Sequence, residues 1–380
     1  MDKEQEHWDA AWLFRSVQPR LAALQSASQK GIKLNVSNMG QESVQCNCSI
    51  DTFRRDFYPT CYLLIFVVGL VGNAFSFYYF VAMYRKMRSF TSMTLYLVNL
   101  LVSDFMLVCS LPFRASYYLT DTWVFGDAVC RIMSYVFYIN MYSSIFFLTA
   151  LSVMRYLAVT RPYRYVYLQK SRGAWAVCLF IWLFVSLASI PLLKEGSHQV
   201  GKDNVKCLEL NIKNAKTIIT LNYITVGLGF VLPFAVISFC YIFVVYSLVR
   251  PREVQGNKRP NYKKSCALVV IVLGIFLICF LPYHVVRTLF LQAEQECSVN
   301  SSPELCHRVT WLRRAAVVTL GLAAGNSCLD PLLYFFAGGN FWNFCRKEVA
   351  KLSKSKRNSA AANLPIAELR ELSVKAEGMY

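Results

Sequence analysis

Two carboxylates raise the first chemical question. Asp104 and Asp330 each interrupt a long apolar stretch, 89–113 and 315–345, and Asn140, Ser144 and Asn326 stand in similar apolar surroundings. An ionisable side chain is costly in hydrocarbon and has to face protein or water. Two carboxylates close together imply a shared proton or a bound cation. Asp104, Asn140, Ser144, Asn326 and Asp330 are therefore a candidate cluster for a regulatory sodium ion or proton, with a purely structural hydrogen-bonded cluster as the alternative. A second group is cationic: Arg54, Arg114 and Arg287, accompanied by Tyr138, Tyr142 and Tyr283. Guanidinium groups beside an apolar cavity favour an anionic ligand, since each can hold a carboxylate or phosphate through two parallel hydrogen bonds. No nucleophile and base occur at matched depth, and no Cys or His spacing suits zinc. Neither catalysis nor a cofactor or metal beyond that sodium is expected.

The elements that must position these groups are read from missing charge. Uncharged stretches cover 57–84, 132–154, 173–193, 217–249 and 265–286. Each exceeds the roughly 18 residues that mark a membrane-spanning helix, and the two stretches interrupted by Asp104 and Asp330 bring the series to seven. Composition agrees: 56% hydrophobic and 16% charged residues exclude a disordered chain and argue against one soluble domain. A net charge of +18 would suit nucleic acid, but its distribution does not. Segments 84–88, 161–172, 250–264 and 337–380 carry +3, +4, +5 and +4, whereas residues 1–56 balance seven basic against seven acidic side chains. That asymmetry is topogenic, placing the N-terminus outside and the C-terminus inside. No nucleic-acid partner is expected. Residues 1–30 lack a secretory apolar region, so the first span is expected to serve as its own targeting signal.

The expected architecture is an all-α, seven-helix transmembrane bundle in the plasma membrane. Residues 1–56 form an extracellular region, 57–336 the bundle, and 337–380 a cytoplasmic tail opening with an amphipathic helix over 340–351. There Phe341, Trp342, Phe344 and Cys345 are expected to face lipid. Asn35, Asn47 and Asn300 are glycosylation acceptors on the outer side. Cys46, Cys48, Cys130, Cys207, Cys297 and Cys306 fall outside or at outer helix ends, where disulfides can form; six cysteines allow 15 pairings and spacing alone does not choose among them. Prolines 112, 191, 233, 282 and 331 lie in apolar spans, where they remove backbone hydrogen bonds and permit kinks.

Asn73, Asp104, the Arg155-Tyr156 pair, Trp182, Pro233, Pro282 and the D-P-L-L-Y run from Asp330 through Pro331 to Tyr334 occur in order and at compatible spacing. Together they resemble the rhodopsin-like (class A) G-protein-coupled receptors over about 57–352. The resemblance implies a disulfide from Cys130 to Cys207. It also implies that Arg155 turns toward a G protein on activation, meeting Tyr241 and Tyr334. The family at large places an acidic residue before that arginine; Met154 stands there, so the usual local ion pair is absent. Phe280 occupies the position where many relatives carry Trp above the kink at Pro282, and with Phe276 it reads as a transmission pair or as ordinary packing.

Finer matches, among them N-C-S-I-D-T-F-R-R-D-F-Y-P (47–59), L-P-F-R-A-S-Y-Y-L (111–119), F-L-P-Y-H-V-V-R-T (280–288) and P-L-L-Y-F-F-A-G-G-N-F (331–341), resemble the cysteinyl leukotriene receptors. C-L-E-L-N (207–211) and R-I-M-S-Y (131–135) are closer to their type 2 than to their type 1. This resemblance implies a second bridge, Cys48–Cys306, leaving Cys46 and Cys297 to pair beside it, or a swapped arrangement of those four. It implies cysteinyl leukotrienes as ligands, their polar end held by the arginines and tyrosines and their tail in an apolar slot between the third, fourth and fifth helices. It further implies a Gq-type heterotrimeric G protein, phospholipase C and calcium release in inflammatory signalling. Receptor kinases and arrestin would act at Ser353, Ser355, Ser359 and Ser373, and Cys345 is a candidate for palmitoylation. The competing reading is a receptor of the same fold for another anion, such as a nucleotide, a dicarboxylate or another lipid mediator. Tyr138 stands where amine receptors hold an aspartate, which disfavours amines.

Overall fold

The computed structural model describes residues 50–87, 90–168, 171–193, 197–200, 204–207, 215–249, 262–299 and 302–337, with Phe344, Arg346 and Ala350. Its helices are α1 (Asp51–Met87), α2 (Ser92–Thr120), α3 (Asp127–Thr160), α4 (Pro162–Leu168), α5 (Ser171–Ser189), α6 (Ala215–Val226), α7 (Leu232–Val249), α8 (Tyr262–Ile275), α9 (Leu281–Val299), α10 (Pro303–Ala324) and α11 (Asn326–Ala337). A π-helical turn, Gly227–Val231, joins α6 to α7, and another, Phe276–Phe280, joins α8 to α9. The result is seven helices long and apolar enough to cross a membrane: α1, α2, α3, α5, α6–α7, α8–α9 and α10–α11.

Side-chain distribution is that of a protein solvated by lipid. Leu64, Val71, Phe180, Ile242 and Val270 are each about two-thirds exposed on the outside of the bundle, while Asn73, Asp104, Asn140, Asn326 and Asp330 are fully or almost fully buried within it. A water-soluble domain would not expose such apolar area so widely.

The prolines explain where the spans depart from regular helix. Pro233 and Pro282 cannot donate to the carbonyls four residues back, at Gly229 and Ile278, and their rings crowd those carbonyls. The chain accommodates each with a wider turn: Leu232 N–H reaches Gly227 O and Leu281 N–H reaches Phe276 O. Pro331 likewise releases the Ser327 carbonyl. Asn73 of α1 answers it, its Nδ2 donating to Ser327 O at 2.9 Å and to Gly69 O at 2.9 Å.

At the outer end a hairpin of β1 (Ser197–Val200) and β2 (Asn204–Cys207) pairs Ser197 with Cys207 and Val200 with Asn204. Cys207 is bonded to Cys130 at the start of α3, as the class A resemblance implies. Strand β2 also docks on the α2–α3 connection. Trp123 N–H donates to Val205 O at 2.7 Å, Val205 N–H to Thr122 Oγ1 at 3.2 Å, and buried Lys206 Nζ to Asp121 Oδ1 at 2.6 Å.

Several boundaries and contacts differ from the sequence expectation. α1 starts at Asp51, so Arg54 lies inside the helix rather than before it; the acidic Asp51 in the first turn suits the positive end of the helix dipole. α9 and α10 run past their apolar stretches because their charged ends pair with each other, Arg313 with Glu294 and Arg308 with Glu296 at 3.4 Å. Phe344, expected to face lipid, is half-buried against α1. Its ring packs on Tyr79, Tyr78 and Phe75 of α1 with centroids 5.3, 5.5 and 6.4 Å away.

Candidate functional site

The outer half of the bundle contains a cavity of about 190 Å³ between α3, α5 and α6, with Arg287 of α9 at its wall. Most of the lining is apolar: Phe146, Phe184, Val185, Ile218, Leu221 and Leu228. Tyr138 and Tyr142 enter from α3, four residues apart and so on one face. Arg287 is likewise four residues from Tyr283 on α9, and its Nη1 donates to the Tyr283 hydroxyl at 2.6 Å. Both are buried, and the positive charge of Arg287 is felt at Tyr138 and Tyr142. Three of the six ligand residues expected from the sequence thus line one apolar cavity, and a fourth, Tyr283, holds the buried Arg287 guanidinium that can meet an anion there.

The other two, Arg54 and Arg114, belong to a separate outer group. Arg54 pairs with Asp51 at 3.2 Å and stands over the Tyr118 ring. Arg114 Nη2 donates to Met133 O at 2.7 Å and its guanidinium lies 4.6 Å from the Phe137 ring centroid. Tyr58 packs between them, 4.4 Å from Tyr118 and within the field of both arginines. Sequence reading missed His284, which stacks on Phe230 at 4.6 Å beside Tyr142, and Asn222, which lines the cavity and donates to Thr288 Oγ1 at 3.0 Å. His284 was legible, being three residues from Arg287 on one helix face.

Deeper, the polar cluster assembles across α2, α3 and α11. Asn140 Nδ2 donates to Asp104 Oδ1 at 3.3 Å and to Ser103 Oγ at 3.2 Å; Ser103 and Ser143 hydroxyls are 2.7 Å apart. Asn326 Nδ2 reaches Asp330 Oδ2 at 3.5 Å, and Asp330 feels the charge of Asp104. Among the described residues Asp104 Oδ2, Ser144 Oγ, Asn326 Oδ1 and Asp330 Oδ1 are buried with no hydrogen bond of ordinary geometry, and Asp104 stands within reach of Ser327 and Asp330. Such a set of hard oxygens suits a small cation and offers nothing to a soft metal.

At the inner end Arg155 lies within the field of Tyr241 and Tyr165, and among the described residues it has no carboxylate partner. The Tyr241 hydroxyl instead accepts from Ser152 Oγ at 2.8 Å. Tyr334 is buried against Phe80 at 5.2 Å, and Tyr156 packs on Phe239 and Phe243. Phe276 and Phe280 are in edge-to-face contact at 5.5 Å within the π-helical turn before Pro282, Phe276 also stacking on Phe230 and Phe234.

The family model described as "7 transmembrane receptor (rhodopsin family)" matches residues 72–334. The chain belongs to the rhodopsin family of seven-transmembrane receptors. It is a multi-pass plasma-membrane receptor, not an enzyme. The receptor is 44% identical over 307 residues to cysteinyl leukotriene receptor 2 of Sus scrofa, covering 80% of this chain and 85% of that one. It is 38% identical over 299 residues to cysteinyl leukotriene receptor 1 of Mus musculus, 78% and 82% of the two chains. Against a purinoceptor of Meleagris gallopavo it is 32% identical over 329 residues, 86% of each. The expected order of resemblance, type 2 before type 1, therefore holds in this receptor.

Cys306 is disulfide-bonded to a partner outside the described residues. Cys46 and Cys48 lie outside them too. The expected Cys46–Cys297 pair therefore has one member outside the described residues. Asn35, Asn47, Asn300, Cys345 and the tail serines lie outside the described residues as well.

Proposed function

We propose that this receptor responds to cysteinyl leukotrienes, coupling them through a Gq-type G protein to phospholipase C and calcium release. One observation carries the reading: an apolar cavity between α3, α5 and α6 with Tyr138, Tyr142 and Arg287 in its wall, the arginine bonded to Tyr283. An amphiphile with a hydrocarbon tail and carboxylates matches that division, the tail against Phe146, Phe184 and Leu228 and an anionic group at the guanidinium. The names of the two leukotriene relatives support the same ligand. Ligand binding the active arrangement more tightly would shift the population toward it, the helices repacking at Phe276 and Phe280 and the inner face opening at Arg155. Asp104, Asn140, Ser144, Asn326 and Asp330 would hold a sodium ion in the resting arrangement, the ion supplying positive charge between two carboxylates. Receptor kinases, arrestin and a palmitoyl group at Cys345 belong to the cytoplasmic side of the same scheme.

The test is calcium release in cells expressing the receptor, titrated with leukotrienes C4, D4 and E4 beside nucleotides and oxoglutarate. Loss of the buried guanidinium in Arg287→Ala is expected to raise the leukotriene concentration needed by about 30-fold or more, and Arg114→Ala to raise it less. The kinship to a purinoceptor makes nucleotide the second reading, and a response to nucleotide with silence from every leukotriene at verified surface expression would move the assignment there.

A further inference from the structure

We propose that Gly229 sets how deeply the cavity admits a ligand's apolar chain, because its missing side chain is the seat of the Tyr142 ring. This rests on the cavity described above as the ligand site. The lining runs along α6 and the following π-helical turn from Ile218 to Gly229, about 16 Å at 1.5 Å per residue, so Gly229 stands at its inner end. A Cβ placed on Gly229 would lie 2.9 Å from Tyr142 Cε1 and 3.1 Å from Cδ1, inside the 3.5–4.0 Å at which carbons attract. The backbone does not demand glycine there, since Gly229 has no positive φ; space does. Gly227, in the same turn, has nothing within 4 Å of its would-be Cβ.

The ring has one direction of retreat. Its backbone is fixed in α3, and the turn behind it is held by Leu232 N–H on Gly227 O. The His284 ring, 6.1 Å away, is stacked on Phe230 and flanks another side. The open volume is the cavity, which Tyr142 already lines. A methyl group at position 229 therefore pushes the phenol into the inner end of the slot, shortening it for a long chain, whereas any effect passed from Tyr142 to Arg287 is shared by short and long ligands. Gly229 is a positioning residue and acts on ligand only through Tyr142.

Four receptors test this: wild type, Gly229→Ala, Gly227→Ala, and Gly229→Ala combined with Tyr142→Ala. With leukotriene D4 as probe and calcium as readout, Gly229→Ala is expected to raise the half-maximal concentration about tenfold. An analogue with a shortened hydrocarbon tail is expected to shift far less, and Gly227→Ala to shift neither. Removing the ring in the double variant restores entry of the full-length tail relative to the short one. A ligand-independent arm places Ala188→Cys in each background and compares labelling by short and long alkyl methanethiosulfonates; Gly229→Ala should slow the long reagent alone. Equal loss for short and long probes, or equal effects of Gly229→Ala and Gly227→Ala, overturns the inference. Leukotriene silence in the wild type with the labelling difference intact would remove the ligand assignment and support the role of Gly229.

Discussion

At the residue scale, a pair of hydroxyls stands beside the arginine of the inner face. Tyr241 accepts from Ser152 at 2.8 Å while lying in the field of Arg155, a bond that would compete with the meeting of tyrosine and arginine expected on activation. Ser152→Ala removes that bond, worth about 1 kcal/mol, and should raise ligand-free inositol phosphate production by roughly fivefold at equal surface expression; unchanged or lower basal signalling would refute the restraint. Much at this scale was legible beforehand. Asp104 and Asp330 stand out because a carboxylate in an apolar run has few reasons to be there, and Tyr138, Tyr142, Tyr283 and Arg287 share helix faces by simple spacing. Gly229 was not legible, since its role depends on a ring that approaches from another span. Nor was the division of the arginines: sequence placed Arg54 and Arg114 near the outer end but said nothing of the tyrosines that enclose them.

At the element scale, spans defined by absence of charge were found without difficulty, and their ends were not. Apolarity marks where lipid begins, whereas a helix continues as long as its polar residues find partners. Glu294 and Arg313, both largely buried, along with Glu296 and Arg308, supply those partners across α9 and α10. A double-mutant cycle on Glu294→Ala and Arg313→Ala is expected to give a coupling energy of about 1 kcal/mol in thermal unfolding of detergent-solubilised receptor, with the exposed Glu296–Arg308 cycle near zero. Additive effects at Glu294 and Arg313 would mean the extension of these helices has another cause. The two π-helical turns were half legible: the prolines announced a disturbance, but not that the backbone would widen to an i to i−5 bond rather than break.

At the scale of the whole molecule, the outer hairpin is restrained twice, covalently by Cys130–Cys207 and non-covalently by Lys206 on Asp121 with Val205 on Thr122 and Trp123. The disulfide followed from resemblance, the second restraint from nothing in the sequence. Either should hold β2 near the bundle alone. Lys206→Ala and Cys207→Ser are therefore expected to speed leukotriene D4 dissociation modestly when separate and by more than the product of their effects when combined. Simple multiplication of the two rate changes would show the restraints to be independent.

The bond from Asn73 to the carbonyl released by Pro331 has a historical consequence. While proline stands at position 331, Asn73 satisfies a buried acceptor that the helix cannot reach, and an apolar replacement at position 73 strands it. Once proline is replaced, the helix can bond its own carbonyl, and the asparagine becomes dispensable. For this bond alone, replacing the proline before the asparagine is the less costly order. Losing the asparagine first leaves a buried carbonyl unanswered, and losing the proline first does not.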